Sequence, residues 1–190
     1  MPLTTLDPIT ALIVIDLQKG IANGNFIQPI GDIVERTRAL IDAFRANSLP
    51  VVLVNVAGRA PGRTEQGPRG NASFTEGWTD LLPELNPQPG DLLLTKRSWG
   101  AFATTDLEAL LKARGVTQVV VAGVVTSGGV EATARQAYEQ GFNVTLALDA
   151  MTDLRAEAHA YAIQNVFPRV GETGSTHEII SLLEARSTAS

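Results

Sequence analysis

The chain contains no cysteine, which excludes disulfides, thiolate metal ligands and a thiol nucleophile together. Histidine is scarce too. His159 and His177 are the two copies, too few donors for a zinc site when no thiolate can help. Cations are outnumbered, 15 against 20 acids for a net charge of −5 over 190 residues, so no cationic surplus exists to neutralise a phosphate backbone or an anionic membrane. Nucleic acid is not an expected partner. No apolar run reaches the roughly 18–20 residues of a membrane span, and the opening MPLTTLDPIT lacks the basic and apolar regions of a signal peptide. The expectation is a cytoplasmic protein without membrane contact. What is present is 44% hydrophobic residues beside 18% charged ones, enough to bury one core in a single domain over residues 1–190.

Two apolar runs, ALIVID at 11–16 and VVLVNV at 51–56, read as strands buried on both faces. Between them Ile33, Val34, Leu40, Ile41 and Phe44 recur at helical spacing over 31–46, with Glu35, Arg36, Arg38 and Arg45 interleaved. The same grammar repeats with strands at 92–94, 119–122 and 144–148 and a short segment at Val170. Helices are expected over 106–114, 131–140, 155–165 and 176–185, the first two of these closed by Gly115 and Gly141. Alternating strands and helices require right-handed crossovers, so the fold class is α/β, a mostly parallel sheet covered by helices on both faces. Residues 57–90 break the rhythm with five prolines and six glycines and read as a lid, binding loop or oligomer contact, with Phe74 and Trp78 either anchoring it or, as the plainer reading, packing against the core. The tail 186–190 reads as frayed.

Ligands of open parallel sheets bind beyond the carboxyl ends of the strands. Three polar groups fall there: Asp16, Lys96 with Arg97, and Thr126-Ser127-Gly128-Gly129 opening a helix. An acid, an amine and backbone N–H groups are the minimum kit for proton transfer beside an oxygen gaining negative charge. The plain reading stands beside it: Asp16 as a cap, Lys96 as a solvated strand end and the glycines as a turn. Other signatures fail. Gly123 and Gly128 have phosphate-loop spacing, but Gly129-Val130 replaces the required Lys-Ser/Thr, and His177-Glu178-Ile179-Ile180-Ser181 ends on serine where a zincin needs histidine. No G-x-S-x-G elbow is present. His159 reads as a helix-surface or core-edge residue.

ALIVIDLQKG, then TKRSWGAFATTDLEALLKARGV, then VVVAGVVTSGGVEATARQAYEQGFNVTLALDAMTD resemble the isochorismatase-like, or cysteine hydrolase, family over nearly the whole chain. The resemblance implies a six-stranded sheet in an αβα sandwich, with a catalytic triad of Asp, Lys and Cys at its carboxyl edge. Asp16 aligns with the family aspartate, Lys96 with its lysine and Gly129 with its cysteine. A glycine at that position closes the covalent thioester route of the amidase members, and Ser127 would point elsewhere from the helix start. Nicotinamidase-like members place metal-binding histidines after the second strand, where this chain has Asn55-Val56-Ala57-Gly58, so no metal or other cofactor is expected. True isochorismatases resemble the chain in carrying a small non-nucleophilic residue at the cysteine position, and are held to protonate a vinyl ether with the aspartate. Asp16 would then need a pKa raised by burial against the pull of Lys96.

For a small polar or anionic substrate, the resemblance offers Gln18, Arg97, Val125, Thr126 and the Gly128 and Gly129 amides as contacts, with Trp99 and Phe102 as an apolar wall. It also implies a cis peptide at Val124-Val125 or Val125-Thr126 and an assembly of two or more copies. The missing nucleophile keeps a second reading open, a non-catalytic relative that binds a metabolite or a partner.

Overall fold

The structure, a computed structural model, describes residues 3–65 and 74–187. Six strands form one sheet: β1 (Thr10–Ile15), β2 (Val51–Val56), β3 (Leu92–Lys96), β4 (Gln118–Val124), β5 (Asn143–Thr152) and β6 (Glu172–Gly174). Their order is β3-β2-β1-β4-β5-β6, and all five pairings are parallel. The chain winds outward from β1 in one direction through β2 and β3, then returns to β4 on its other side. The β1/β4 boundary is therefore the topological switch point, where connections leave in opposite directions and open a crevice.

Strand side chains alternate between two covered faces, which is why the strands read as unbroken apolar runs. Ile13 and Ile15 of β1 with Val119 and Val121 of β4 join one core cluster. Into it pack Leu107 and Leu111 of α3 (Leu107–Lys112), Ala134 and Ala137 of α4 (Glu131–Glu139) and Ala162, just beyond α5 (Ala156–Tyr161). Leu12 and Val14 face the second cluster, with Ile33, Leu40 and Phe44 of α2 (Ile30–Ala46) and Ile179 and Leu183 of α6 (Thr176–Ser187). The three layers expected from the sequence are present. A short α1 (Lys19–Ala22) follows β1. No helix among the described residues is long and apolar enough to cross a membrane.

Several boundaries differ from the sequence reading. The sixth strand lies at Glu172–Gly174, not at Val170, because Pro168 draws Phe167–Arg169 into a 3-10 turn that Val170 closes. β5 runs on to Thr152 through a register shift, with Val121 opposite Leu146 but Gly123 opposite Met151. Arg186 and Ser187 belong to α6, and 188–190 of the expected frayed tail lie outside the described residues. His177-Glu178 is helix-start chemistry. Glu178 accepts from Ser175 N at 2.7 Å and Ser175 Oγ at 2.9 Å, while Glu178 N donates back to Ser175 Oγ at 3.2 Å, a capping box.

The 57–90 segment is fastened where it is described. Leu81 bridges Gln18, Pro83–Leu85 forms a 3-10 turn, and Phe74 stacks on Trp78 at 4.3 Å between ring centroids. The Trp78 indole occupies the space a Cβ on Gly20 would need. Residues 66–73 of this segment, expected as a lid, binding loop or oligomer contact, lie outside the described residues.

Gly123 shows what the switch point demands of the backbone. Its φ is +111°, and a Cβ there would collide with the Ile15 main chain. Gly31, near the start of α2, has nothing within 4 Å of its Cβ position. Gly123→Ala is expected to lose about 4 kcal/mol or more in urea unfolding, whereas Gly31→Ala is expected to gain about 0.5–1 kcal/mol.

Candidate active site

Asp16 is the first residue past β1, and its backbone turns left-handed at φ +55°, a conformation that costs most residues and that Asp tolerates better than most. Two main-chain bonds hold that turn: Asp16 N donates to Val54 O and Gln18 N donates to Asp16 O, both at 2.9 Å. The side chain is 8% exposed. Its Oδ2 lies 2.7 Å from Lys96 Nζ, and its Oδ1 is buried with no hydrogen-bond partner.

Lys96 ends the edge strand β3, two strands from β1, and its long stem spans the gap across β2. Its side chain is 2% exposed, and its ammonium also donates to Ser98 O at 3.2 Å. Burial and the neighbouring cation compete over the Asp16 proton, and burial wins. Desolvation pushes the carboxyl from its ordinary 3.8 up to about 6, while the charge and hydrogen bond of Lys96 pull back.

The third side of the site is the π-turn Thr126–Val130, which follows β4 across the switch point and leads into α4. The peptide before it, Val124–Val125, is cis, the first of the two expected places. A Cβ built on Gly129 would lie 3.1 Å from Asp16 Oδ2 and 2.9 Å from Ile15 Cγ2. The bare face of Gly129 thus looks straight at the carboxyl group. The structure brings Asp16, Lys96 and Gly129 together from three separate segments.

The expected substrate contacts fare unequally. Gln18 is fully buried and its amide is consumed: Oε1 accepts Val56 N at 2.7 Å, and Nε2 donates to Val56 O at 3.1 Å and Trp78 O at 3.3 Å. It fastens main chain instead of presenting a free amide. Gly128 N is spent likewise, donating to Val125 O at 3.0 Å. Phe102 lies in the core against Phe142, 5.9 Å between centroids, so it forms no wall with Trp99, which is 70% exposed. Arg97 is an exposed rim residue whose Nη1 donates to Ala57 O at 3.1 Å. Val125 is half-buried beside the second cluster, and Thr126 is fully buried.

Two neighbours were missed or underread. Asp153, 3% exposed, holds the turn by accepting Ser127 N at 2.7 Å through Oδ2, while its Oδ1 accepts Leu154 N at 2.7 Å and Arg155 N at 3.3 Å. It ends an apolar strand as Asp16 does, so the same strand-end signal was there to be read. His159 sits 2.8 Å through Nδ1 from Thr126 Oγ1. Burial pushes its pKa down, against a smaller upward pull from Asp153, which favours the neutral imidazole at pH 7. Only the tertiary fold reveals that pairing.

A metal of the nicotinamidase kind does not fit the residues after β2. Asn55 Nδ2 is committed to Thr79 O at 2.7 Å, and Ala57 and Gly58 bring no side-chain donor. Among the described residues no group of three or more His, Asp and Glu is arranged to hold a metal ion.

The pair makes a pH-dependent prediction about stability. Between 3.8 and about 6 the folded chain keeps the Asp16 proton that the unfolded chain releases, so this group weakens the fold as pH climbs through that interval, by on the order of 3 kcal/mol in all. Lys96→Met removes the cation that offsets the charged form. At pH 8 it is expected to cost about 3–5 kcal/mol in urea unfolding, and clearly less at pH 5, where Asp16 is mostly protonated. Adding Asp16→Asn to Lys96→Met is expected to recover most of the loss at pH 8.

Comparison with known proteins gives the family. Residues 10–178 match the isochorismatase domain. The chain is 37% identical over 177 residues to the isochorismatase family protein YwoC of Bacillus subtilis (strain 168), covering 90% of this chain and 92% of that one. It is 38% identical over 182 residues to YecD of Escherichia coli O157:H7, covering 92% and 96%. The solved structure of an isochorismatase family protein from Burkholderia thailandensis superposes with a TM-score of 0.89 at 37% identity, covering 95% of this chain and 98% of its own. A matching domain, these identities and a shared six-stranded architecture place the chain in the isochorismatase family.

Proposed function

We propose that the chain hydrolyses a small polar or anionic metabolite by proton transfer at Asp16, with Lys96 as the cationic partner, no metal and no covalent intermediate. One observation carries the reading: a buried carboxyl, pushed up to about 6 by desolvation, with one oxygen on an ammonium and the other unpartnered, faces the bare Gly129. A carboxyl needed only for stability gains nothing from such a pKa, whereas an acid that delivers a proton near neutrality needs it. Gly129 supplies no nucleophile, and its missing Cβ lets the turn close to within van der Waals reach of Asp16 Oδ2.

A vinyl ether suits these groups. The Asp16 carboxylic acid gives its proton to the terminal enol carbon, and the positive charge that develops on the ether carbon is stabilised by the ether oxygen and the new carboxylate. Water adds to that carbon, the resulting hemiketal expels the alcohol and leaves a ketone, and Asp16 regains a proton from the water. Lys96 remains charged. Two of its three N–H donors hold Asp16 and Ser98, and the third serves a substrate carboxylate. Arg97 and Trp99 at the rim meet the remote end of the substrate.

A second reading, a relative that binds a metabolite without turnover, is favoured by the internal spending of Gln18 and the Gly128 amide. The two readings separate on assay. Isochorismate and a panel of enol ethers, amides and N-carbamoyl compounds are expected to include a consumed substrate whose kcat/KM is level below about pH 6 and falls above it, because the acid form is required. A limb rising through about 6 would instead make Asp16 a base. Asp16→Asn is expected to lower turnover by roughly 10²–10⁴, and equal rates for the two proteins would remove Asp16 from the mechanism. A compound that raises Tm and is never consumed would favour binding alone.

Restoring the sulfur probes the same space. Gly129→Cys, in which Ile15 Cγ2 must yield to the new Cβ, is expected to confer amide hydrolysis on a pocket that still admits carbonyl substrates, read as release of ammonia from amides in the panel. Absence of gain in a folded variant would mean that the pocket selects other chemistry.

A further inference from the structure

Lys96 and Gly129 reach Asp16 from segments that share no strand or helix, and one element touches both. Helix α4 begins directly after the turn that carries Gly129. The Thr133 hydroxyl on its first turn donates to Gly129 O at 2.7 Å, and Thr133 Oγ1 in turn accepts Ala101 N at 3.1 Å. One turn further along, Gln136 Oε1 accepts Phe102 N at 3.0 Å. Gly100 lies flush against that amide, in a position where any Cβ would collide with it. Residues 98–102 are the segment whose Ser98 carbonyl holds the Lys96 ammonium. This stretch has neither helix nor strand of its own, so its place depends on such bonds.

A helical threonine often satisfies its hydroxyl on the carbonyl four residues back, and that bond alone would be routine. The second bond is not local. It spans 32 residues, and the Thr133 side chain making both is fully buried, where an abandoned N–H has no water to replace its partner. We propose that Thr133 and Gln136 are positioning residues that clamp the Lys96 loop and the Gly129 turn into one fixed relation to Asp16. Neither touches Asp16, so each acts through the groups it holds. The clamp rests on the reading of Asp16 and Lys96 as the working pair, yet it concerns their geometry and is testable without a substrate.

The consequence is electrostatic. If the 98–102 loop shifts, Ser98 O moves, the ammonium follows, and the 2.7 Å contact with Asp16 lengthens. Asp16 then loses the one attraction that opposes its desolvation. The experiment is a carbon-13 NMR titration of the aspartate side-chain carboxyls in the full chain, with no ligand added and the Asp16 signal assigned by its loss in Asp16→Asn. Thr133→Val, which keeps the shape and removes both bonds, is expected to move the Asp16 midpoint upward from about 6 by roughly one pH unit. Thr133→Ser is expected to restore the wild-type midpoint, and Gln136→Met, an independent cut of the same clamp, to move it upward by a smaller amount.

Leu40→Ala truncates the core on the opposite face of the sheet and controls for general loosening. It is expected to leave the midpoint in place. A folded Thr133→Val or Gln136→Met that titrates like wild type would overturn the clamp, as would a shift in Leu40→Ala as large as that in Thr133→Val. Shifted midpoints in a protein that consumes nothing in the substrate panel would remove the hydrolase reading and leave the clamp standing.

Discussion

Taking a carboxyl group almost out of water while leaving it one cation is the constraint around which this molecule is arranged. Water stabilises the charged form of an acid more than any single ammonium does after burial, and the upward displacement of Asp16 to about 6 records that imbalance. Such a group weakens the fold when charged, so its surroundings must hold it in place by other means. They do so through main chain. The left-handed turn at Asp16 is held by Val54 and Gln18 backbone bonds, and the close passage of β1 and β4 is possible because Gly123 has no side chain.

Topology explains why the site sits here. In the order β3-β2-β1-β4-β5-β6, β1 is central, so the residue just past its end is shielded on both sides by neighbouring strand ends. Lys96 comes from the edge, where the strand beside it ends in register, Val56 opposite Lys96. A lysine stem is long and apolar enough to lie buried across that distance while the ammonium reaches its partners. A shorter cation could not cross from the edge strand. The turn after β4 approaches from the other side of the switch point, and its glycine lets main chain come against the carboxyl group where a side chain would stand.

Much of this was legible in the residues. Apolar runs ending in polar residues mark the strand ends, and the rule that ligands gather there selects Asp16, Lys96 and the Thr126–Gly129 stretch. What the pattern does not carry is how polar atoms are spent. Gln18 follows the acid by two residues and has the chemistry of a substrate contact, yet the ends of β1 and β2 and the main chain at Trp78 claim its amide first. Phe102 stands three residues after an exposed tryptophan and turns inward to Phe142. His159 and Thr133 matter through partners 33 and 32 residues away, separations that no local periodicity encodes. Buried backbone must be satisfied, and the side chains recruited for that task look in sequence like candidates for chemistry.

The way Gln18 works has a consequence for how such a protein diversifies. Every bond its amide makes goes to main-chain atoms, Val56 N, Val56 O and Trp78 O, and Lys19 N and Gly20 N add two more, to Asp80 O and Trp78 O. Peptide groups are the same whatever residue bears them. The stretch around Trp78 and Asp80 is thus moored by features that mutation of its own side chains leaves largely untouched, so its side chains can change while its attachment persists. A lineage built this way can vary the exposed face of that segment while its junction with the end of β1 is inherited intact.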